Sequence, residues 1–309
     1  MLAAYISHAD CLLHEMGDGH PECPARLAAI NDRLIAQGLL DVMEHFDAPL
    51  VSMQALARVH SEDYLQRIFS LSPGEGYLRI DPDTLMNPHT LQAARRAAGA
   101  AVLATDLVVQ GKHRIVFCNV RPPGHHATID EAMGFCFFNN VAVGIRHALE
   151  HHQVQRVALI DFDVHHGNGS ESVFYDDERV LMCSTYQIDI FPFHVAGEQS
   201  PRRINIGLPA RSRGELFQKA VEDHWLDALD RFRPELIYIS AGFDGHVLDD
   251  MGGLGLLERD FAWVTRQMVH LAEKHAGGRV ISCLEGGYEL DVLARSASSH
   301  VKALLGLDV

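Results

Sequence analysis

Apolar and polar positions along the chain follow two rhythms. Short continuous runs rich in β-branched residues, such as Val157-Ala158-Leu159-Ile160, read as strands buried on both faces. Longer stretches with apolar residues three and four apart read as helices with one buried face. Strands are predicted at 114–120, 156–164, 180–186, 203–208, 236–241 and 279–284, and helices at 140–151, 214–232, 258–276 and 290–305. This alternation predicts a three-layer α/β/α fold with a central, mostly parallel sheet. The earlier part adds a strand at 2–6, a helix from Pro24 to near Gly38, a helix at 61–71 capped by Ser61, and an Ala-rich helix at 90–110. Residues 72–87 hold Gly, Pro and Asp without periodicity and read as a substrate-facing loop. With no repeat, low-complexity tract or linker, a single domain over 1–309 is expected.

Composition narrows the function. Lys and Arg number 26 against 41 Asp and Glu, a formal charge of −15, which argues against nucleic acid as partner. Six cysteines, none in a Cys-x-x-Cys pair, read as free thiols in a reducing compartment. The first fifteen residues lack the basic start of a signal peptide, and no apolar run reaches membrane-span length. A cytoplasmic protein with no membrane partner is expected. Its oligomeric state stays open.

The candidate chemistry sits just past the carboxyl ends of four predicted strands, where open parallel sheets bind ligands. Asp161, Asp163 and His165 are spaced two apart, so an extended segment would point them to one side. Buried carboxylates need a cation or donors, and Asp with His suits a divalent metal with open positions. Asp163, His165 and Asp244 form the candidate metal site, for zinc or equally iron(II). Asp161, deeper in the strand, would orient a histidine or hold a second cation. His125 and His126 follow a Pro-Pro-Gly turn and suit proton transfer. Tyr288, after Gly286-Gly287, could donate to a developing oxyanion. Phe135 and Phe191 are candidate pocket walls. The pair His151-His152, at a predicted helix end, reads as solvated surface.

Taken together, His20-Pro21-Glu22, Arg121-Pro122-Pro123-Gly124-His125-His126, Gly134-Phe135-Cys136, the run from Asp161 to Gly169, Ala241-Gly242-Phe243-Asp244 and Glu285-Gly286-Gly287-Tyr288 resemble the zinc-dependent histone deacetylase family. The family has the arginase/deacetylase fold, and the match looks like its class II branch with bacterial amidohydrolase and acetylpolyamine amidohydrolase relatives. The resemblance implies that Asp163, His165 and Asp244 bind zinc. His126 would be general base and acid, His125 its electrostatic partner oriented by Asp161, and Asn168 the residue behind the second histidine. Tyr288 would polarise the substrate carbonyl. It also implies a structural potassium site at Asp161, Ser184 and the backbone of Asp163 and His165. Gly134, Phe135, Phe191 and Met251 would line an acyl-lysine tunnel, with Asp83 at its rim. The implied substrate is an acylated lysine peptide or an acylated polyamine.

Three stretches depart from the family: Ser184-Thr185-Tyr186, Phe191-Pro192-Phe193-His194, and Asp250 in place of a usual Pro. They are expected in loops that shape the pocket, bearing on substrate choice. Met251 stands where polyamine-selective relatives can carry Glu, which weakens the polyamine reading. A two-metal ureohydrolase would need more ligands than the central motif offers. A non-catalytic acyl-ligand sensor is the other alternative.

Overall fold

In a computed structural model, which describes residues 3–193 and 200–308, the chain builds one eight-stranded sheet with helices on both sides. The strands and helices in order are β1 (Ala3–Ser7), α1 (Ala25–Ala36), β2 (Glu44–Asp47), α2 (Met53–Leu56), α3 (Glu62–Ser70), β3 (Leu78–Arg79), β4 (Leu85–Met86), α4 (Thr90–Val109), β5 (Ile115–Cys118) and α5 (Asn140–Glu150). There follow β6 (Val157–Asp161), α6 (Asn168–Phe174), β7 (Val180–Gln187), β8 (Arg203–Leu208), α7 (Gly214–Val221), α8 (Asp227–Phe232), β9 (Leu236–Ala241), α9 (Glu258–His275), β10 (Val280–Leu284) and α10 (Leu290–Leu304). The sheet order is β2-β1-β5-β10-β9-β6-β7-β8, and every pairing in it is parallel. α4 and α5 pack together on one face, and α1, α9 and α10 pack together on the other.

Burial explains the layers. Every residue of β5, β6, β9 and β10 is buried, as strands covered on both faces require. β2, with sequence Glu-His-Phe-Asp and mostly exposed positions, is an edge strand that no apolar run announces. The loop predicted over 72–87 contains the small antiparallel pair β3–β4. The helix predicted over 214–232 carries a π-type turn at Glu222–Leu226, which bears the fully buried Trp225, and ends at Arg233 in the left-handed region (φ 53°).

The largest correction concerns the central strand, which stops at Asp161 rather than at 164. Asp161 Oδ1 accepts from Asp163 N (3.1 Å), Asp163 Oδ1 from His165 N (2.9 Å), and Asp244 Oδ1 from Val164 N (2.9 Å). These carboxylates take the N–H groups a ladder would use and bend the chain. Asp163 and His165 are therefore brought together by a turn, not by strand alternation. α6 then begins directly after the bend, at Asn168.

Helix α4 packs through small residues, and at Gly99 it lies directly against the segment that follows β2. A Cβ there would collide with the Pro49 carbonyl. Gly99→Ala should gain about 1 kcal/mol from helix propensity. We expect it instead to destabilise the protein by about 1–3 kcal/mol through overpacking, read as a lower urea midpoint.

Candidate active site

Asp163, His165 and Asp244 converge in the loops after β6 and β9. One ligand atom from each lies within 4.8 Å of the other two. His165 Nδ1 is 3.1 Å from Asp163 Oδ1 and 3.2 Å from Asp244 Oδ2. Both carboxylates are fully enclosed. Asp163 Oδ2 accepts from Gly286 N (2.8 Å), but the 3.2 Å approach of His165 to Asp244 Oδ2 lacks hydrogen-bond geometry. That buried oxygen has no donor among the described residues. Burial opposes a charge on His165, yet Asp163 and Asp244 outweigh it and push its pKa up to about 10. Burial and the Asp163 charge push Asp244 up to about 6. Two crowded acids thus draw a proton onto the imidazole. A divalent ion at the same point would match the donors and their charge better. Gly286 must lack a side chain, because its Cβ would strike the Asp244 carboxylate.

Beside these groups, the rings of His125 and His126 lie 4.0 Å apart, centroid to centroid. His125 Nδ1 bonds Asp161 Oδ2 (3.0 Å), and His126 Nδ1 bonds Asn168 Oδ1 (2.8 Å). Burial disfavours charge on both, but they diverge. Asp163 and Asp161 overcome it at His125 and raise its pKa well above the usual value. At His126, His125 and His165 reinforce burial and hold it well below. The surroundings thus favour charge on one histidine and disfavour it on its neighbour, the division that a paired electrostatic partner and base require. Asn168 Nδ2 donates to Met133 Sδ, which turns Oδ1 toward His126. Nδ1 of His126 therefore carries the proton, and Nε2 keeps its lone pair.

Aromatic rings stand around this pair. Phe191 lies edge-on to His126 (4.9 Å) and His165 (6.2 Å), while Phe135 lies edge-on to Tyr288 (5.9 Å) and His20 (4.8 Å). Gly134, in the left-handed region (φ 54°), fits between His126 and Phe191, where a Cβ would meet both rings. Asp83 stays at the rim, its carbonyl in contact with His20 Nε2 (3.1 Å) and its carboxyl pushed up to about 6 by burial and Asp81. Met251 is half-buried on the loop after β9. Ser184 pairs with Asp161 across the ladder, and its buried Oγ has no hydrogen-bond partner among the described residues.

Of the three departing stretches, Ser184-Thr185-Tyr186 is not in a loop but in β7, with Tyr186 buried edge-on to His166. Phe193 is 77% exposed and Asp250 is exposed. His194 lies outside the described residues.

Several residues matter that the sequence did not single out. Asp249 Oδ2 accepts from Tyr288 N (2.6 Å) and Glu289 N (3.0 Å), and its Oδ1 from Met251 N (3.0 Å). Glu285 Oε2 accepts from Gly124 N (2.7 Å) and His125 N (3.1 Å). Arg26 donates to the carbonyls of Glu285 and Gly287 and lies over the Tyr288 ring, 4.8 Å from its centroid. Arg26 is in turn paired with Glu22, which Arg121 grips with two 2.6 Å bonds. Glu22, Arg121 and Glu285 stood in recognisable motifs, but Asp249 looks no different in sequence from its neighbour Asp250.

The sequence and the fold are similar to those of known proteins. The histone deacetylase domain family covers residues 20–304. A histone deacetylase-like amidohydrolase of Pseudomonas aeruginosa is 38% identical over 277 residues, spanning 87% of this chain and 73% of that protein. A probable deacetylase of Archaeoglobus fulgidus is 33% identical over 321 residues, spanning 100% and 88%. The crystal structure of the HDA15 HD domain superposes with a TM-score of 0.92 at 30% identity, covering 99% of this chain and 90% of that one.

The buried Glu22 cluster generates a stability prediction. Burial alone would raise the Glu22 carboxyl, but Arg121 and His14 hold it well below its ordinary 4.5. A depressed folded pKa stabilises above the unfolded value, and the gain fades as pH falls through the folded one. Glu22→Gln leaves two buried guanidiniums uncompensated and should cost about 3–5 kcal/mol at neutral pH. The gap from wild type should be equal at about pH 8 and about pH 6 and smaller at about pH 4, in urea titrations.

Proposed function

Because the chain belongs to the histone deacetylase family, we propose that it is a zinc-dependent amidohydrolase that removes acetyl or related acyl groups from lysine-type amines. The observation that carries this reading is the triad Asp163, His165 and Asp244 set beside two adjacent histidines, one bonded to a carboxylate and the other to an amide oxygen, whose surroundings drive their pKa values in opposite directions. Those three residues would hold zinc, or iron(II), which when bound supplies a Lewis acid and lowers the pKa of water.

The chain's own groups then do the following. His126 takes a proton from the attacking water at Nε2 and later delivers it to the departing amine nitrogen. Asn168 keeps the imidazole in the right tautomer. His125 stays protonated against Asp161 and stabilises negative charge nearby. Tyr288, its backbone pinned by Asp249 and Arg26, donates its hydroxyl to the substrate carbonyl oxygen as charge builds there. No serine or cysteine nucleophile takes part, so no acyl-enzyme forms. Gly134, Phe135, Phe191 and Met251 enclose the amine's alkyl chain and exclude water, and Asp83 accepts from a peptide N–H at the rim.

The unpartnered Ser184 Oγ opposite Asp161 supports a structural potassium ion there. Free cysteines, five of the six buried, suit a reducing cytoplasm. No helix among the described residues is long and apolar enough to cross a membrane. The described chain acts as one catalytic unit.

Two measurements test this. His126→Ala should retain one equivalent of metal by elemental analysis and lose about 10²–10⁴-fold in kcat on an acetyl-lysine peptide. Undiminished turnover would remove His126 from the mechanism. Metal-loaded wild type should hydrolyse acetyl-lysine peptides faster than acetylputrescine, since Met251 offers no carboxylate to a distant ammonium. The reverse order would move the assignment to polyamines, and inertness toward both, with hydroxamate still binding, would favour an acyl-ligand sensor.

A further inference from the structure

At the sheet edge opposite the acidic centre, where α5 runs out before β6 begins, three histidines gather. His147 and His151 are one turn apart on and just after α5, and His152 follows. The rings of His147 and His151 stack at 4.7 Å with planes 12° apart. His152 stands edge-on to them at 5.1 and 4.9 Å. One nitrogen from each ring lies within 4.8 Å of the other two. Asp106, in the last turn of α4, completes the group, its Oδ1 bonding Nε2 of His147 (2.8 Å) and Nε2 of His152 (2.6 Å). The expectation of a simply solvated His151-His152 pair thus holds for His151, which is exposed, but not for His152, which is half-buried and held by Asp106.

We propose that His147, His151, His152 and Asp106 form a second, peripheral site for a divalent transition metal, of which zinc is the natural occupant.

Imidazole-rich sets with one carboxylate suit zinc and its transition-metal neighbours and are poor for calcium or magnesium. Ligands about 2.0–2.1 Å from a tetrahedral ion lie roughly 3.3 Å from one another. The nitrogens, within 4.8 Å of one another, must draw closer to reach that spacing, and exposed His151 is the ring with most freedom to move. Among the described residues the His151 ring makes ring contacts with His147 and His152 and no hydrogen bond, so a rotation gives up only those contacts. A purely structural network would already be complete without it, since Asp106 alone serves the other two rings. Asp106 either ligates the ion or orients the rings from behind, as carboxylates behind metal-bound histidines do. Arg58 NH1 lies 3.4 Å from His147 Nδ1, but the Arg58 charge is matched by Glu150 at 3.4 Å. Bound metal would tie the end of α5 to the end of α4 and raise the melting temperature.

The site shares no residue with the acidic centre, so the two readings stand or fall separately. The test uses untagged protein already carrying one equivalent of zinc, titrated with zinc chloride by calorimetry and counted by elemental analysis after gel filtration. Wild type should take up a second equivalent with a rise in melting temperature. The double variant His151→Gln/His152→Gln, checked for unchanged circular dichroism, should lose that equivalent and the rise. Asp106→Asn should weaken the second event by about 10–100-fold. Asp244→Asn, which disarms the acidic centre, should keep it. No second equivalent in wild type, or equal uptake by the double variant as adventitious surface binding, would overturn the proposal.

Discussion

Four carboxylates buried within a few residues of the sheet's carboxyl edge govern the rest of this structure. Asp161, Asp163, Asp244 and Glu285 are each shielded from water, and an unmatched buried charge is among the costliest features a protein can hold. Each is answered differently. Asp161 meets His125, Glu285 meets two backbone N–H groups, and Asp163 meets backbone N–H groups from its own turn and from the strand β10 loop. Asp244 is left with one oxygen unanswered. The demand for positive charge is therefore concentrated at one point, between Asp163, Asp244 and His165. The same demand divides the two histidines, since the acids favour charge on His125 and that charge disfavours a second one on His126.

The loop after β10 is where stability and chemistry meet. Asp249 and Arg26 hold the backbone of Tyr288 and its neighbours from opposite sides, one taking N–H groups and the other giving N–H to carbonyls. Arg26 is kept in place by Glu22, and Glu22 by Arg121, whose NH1 also bonds the carbonyls of Cys11 and His14 (both 2.7 Å). The Tyr288 phenol is thereby wired to the N-terminal segment through a chain of buried ion pairs. Such pairs add little net stability when complete, but removing one partner is expensive. Residues far from Tyr288 can therefore alter its placement through this chain.

Across the sheet, the same elements leave the opposite edge free. The ends of α4 and α5 are not needed for the acidic centre, and there three imidazoles and a carboxylate come within reach of one another. The parallel arrangement separates the two edges, so a group at one can change without disturbing the other.

Much of this was legible in the chain itself. Apolar runs such as 157–160 and 236–241 located the central strands, and the polar residues just after them located the pocket, because parallel strands all end on one edge. Edge strand β2 was not legible, because a strand exposed along most of its length carries no apolar signature. The local pattern also misled at Asp161-Phe162-Asp163-Val164-His165, where alternation implied a strand and side-chain carboxylates instead captured the backbone into a turn. His152 read as surface because its partner Asp106 is remote in sequence. Asp249 could not be told from Asp250, since only the meeting of the loops after β9 and β10 gives one of them N–H groups to accept. Composition and periodicity, being local, determined which residues could do chemistry and on which edge they would stand. Which of them share a proton, a cation or a backbone contact was decided by tertiary packing, because those interactions join residues distant in the chain and act only over a few ångströms.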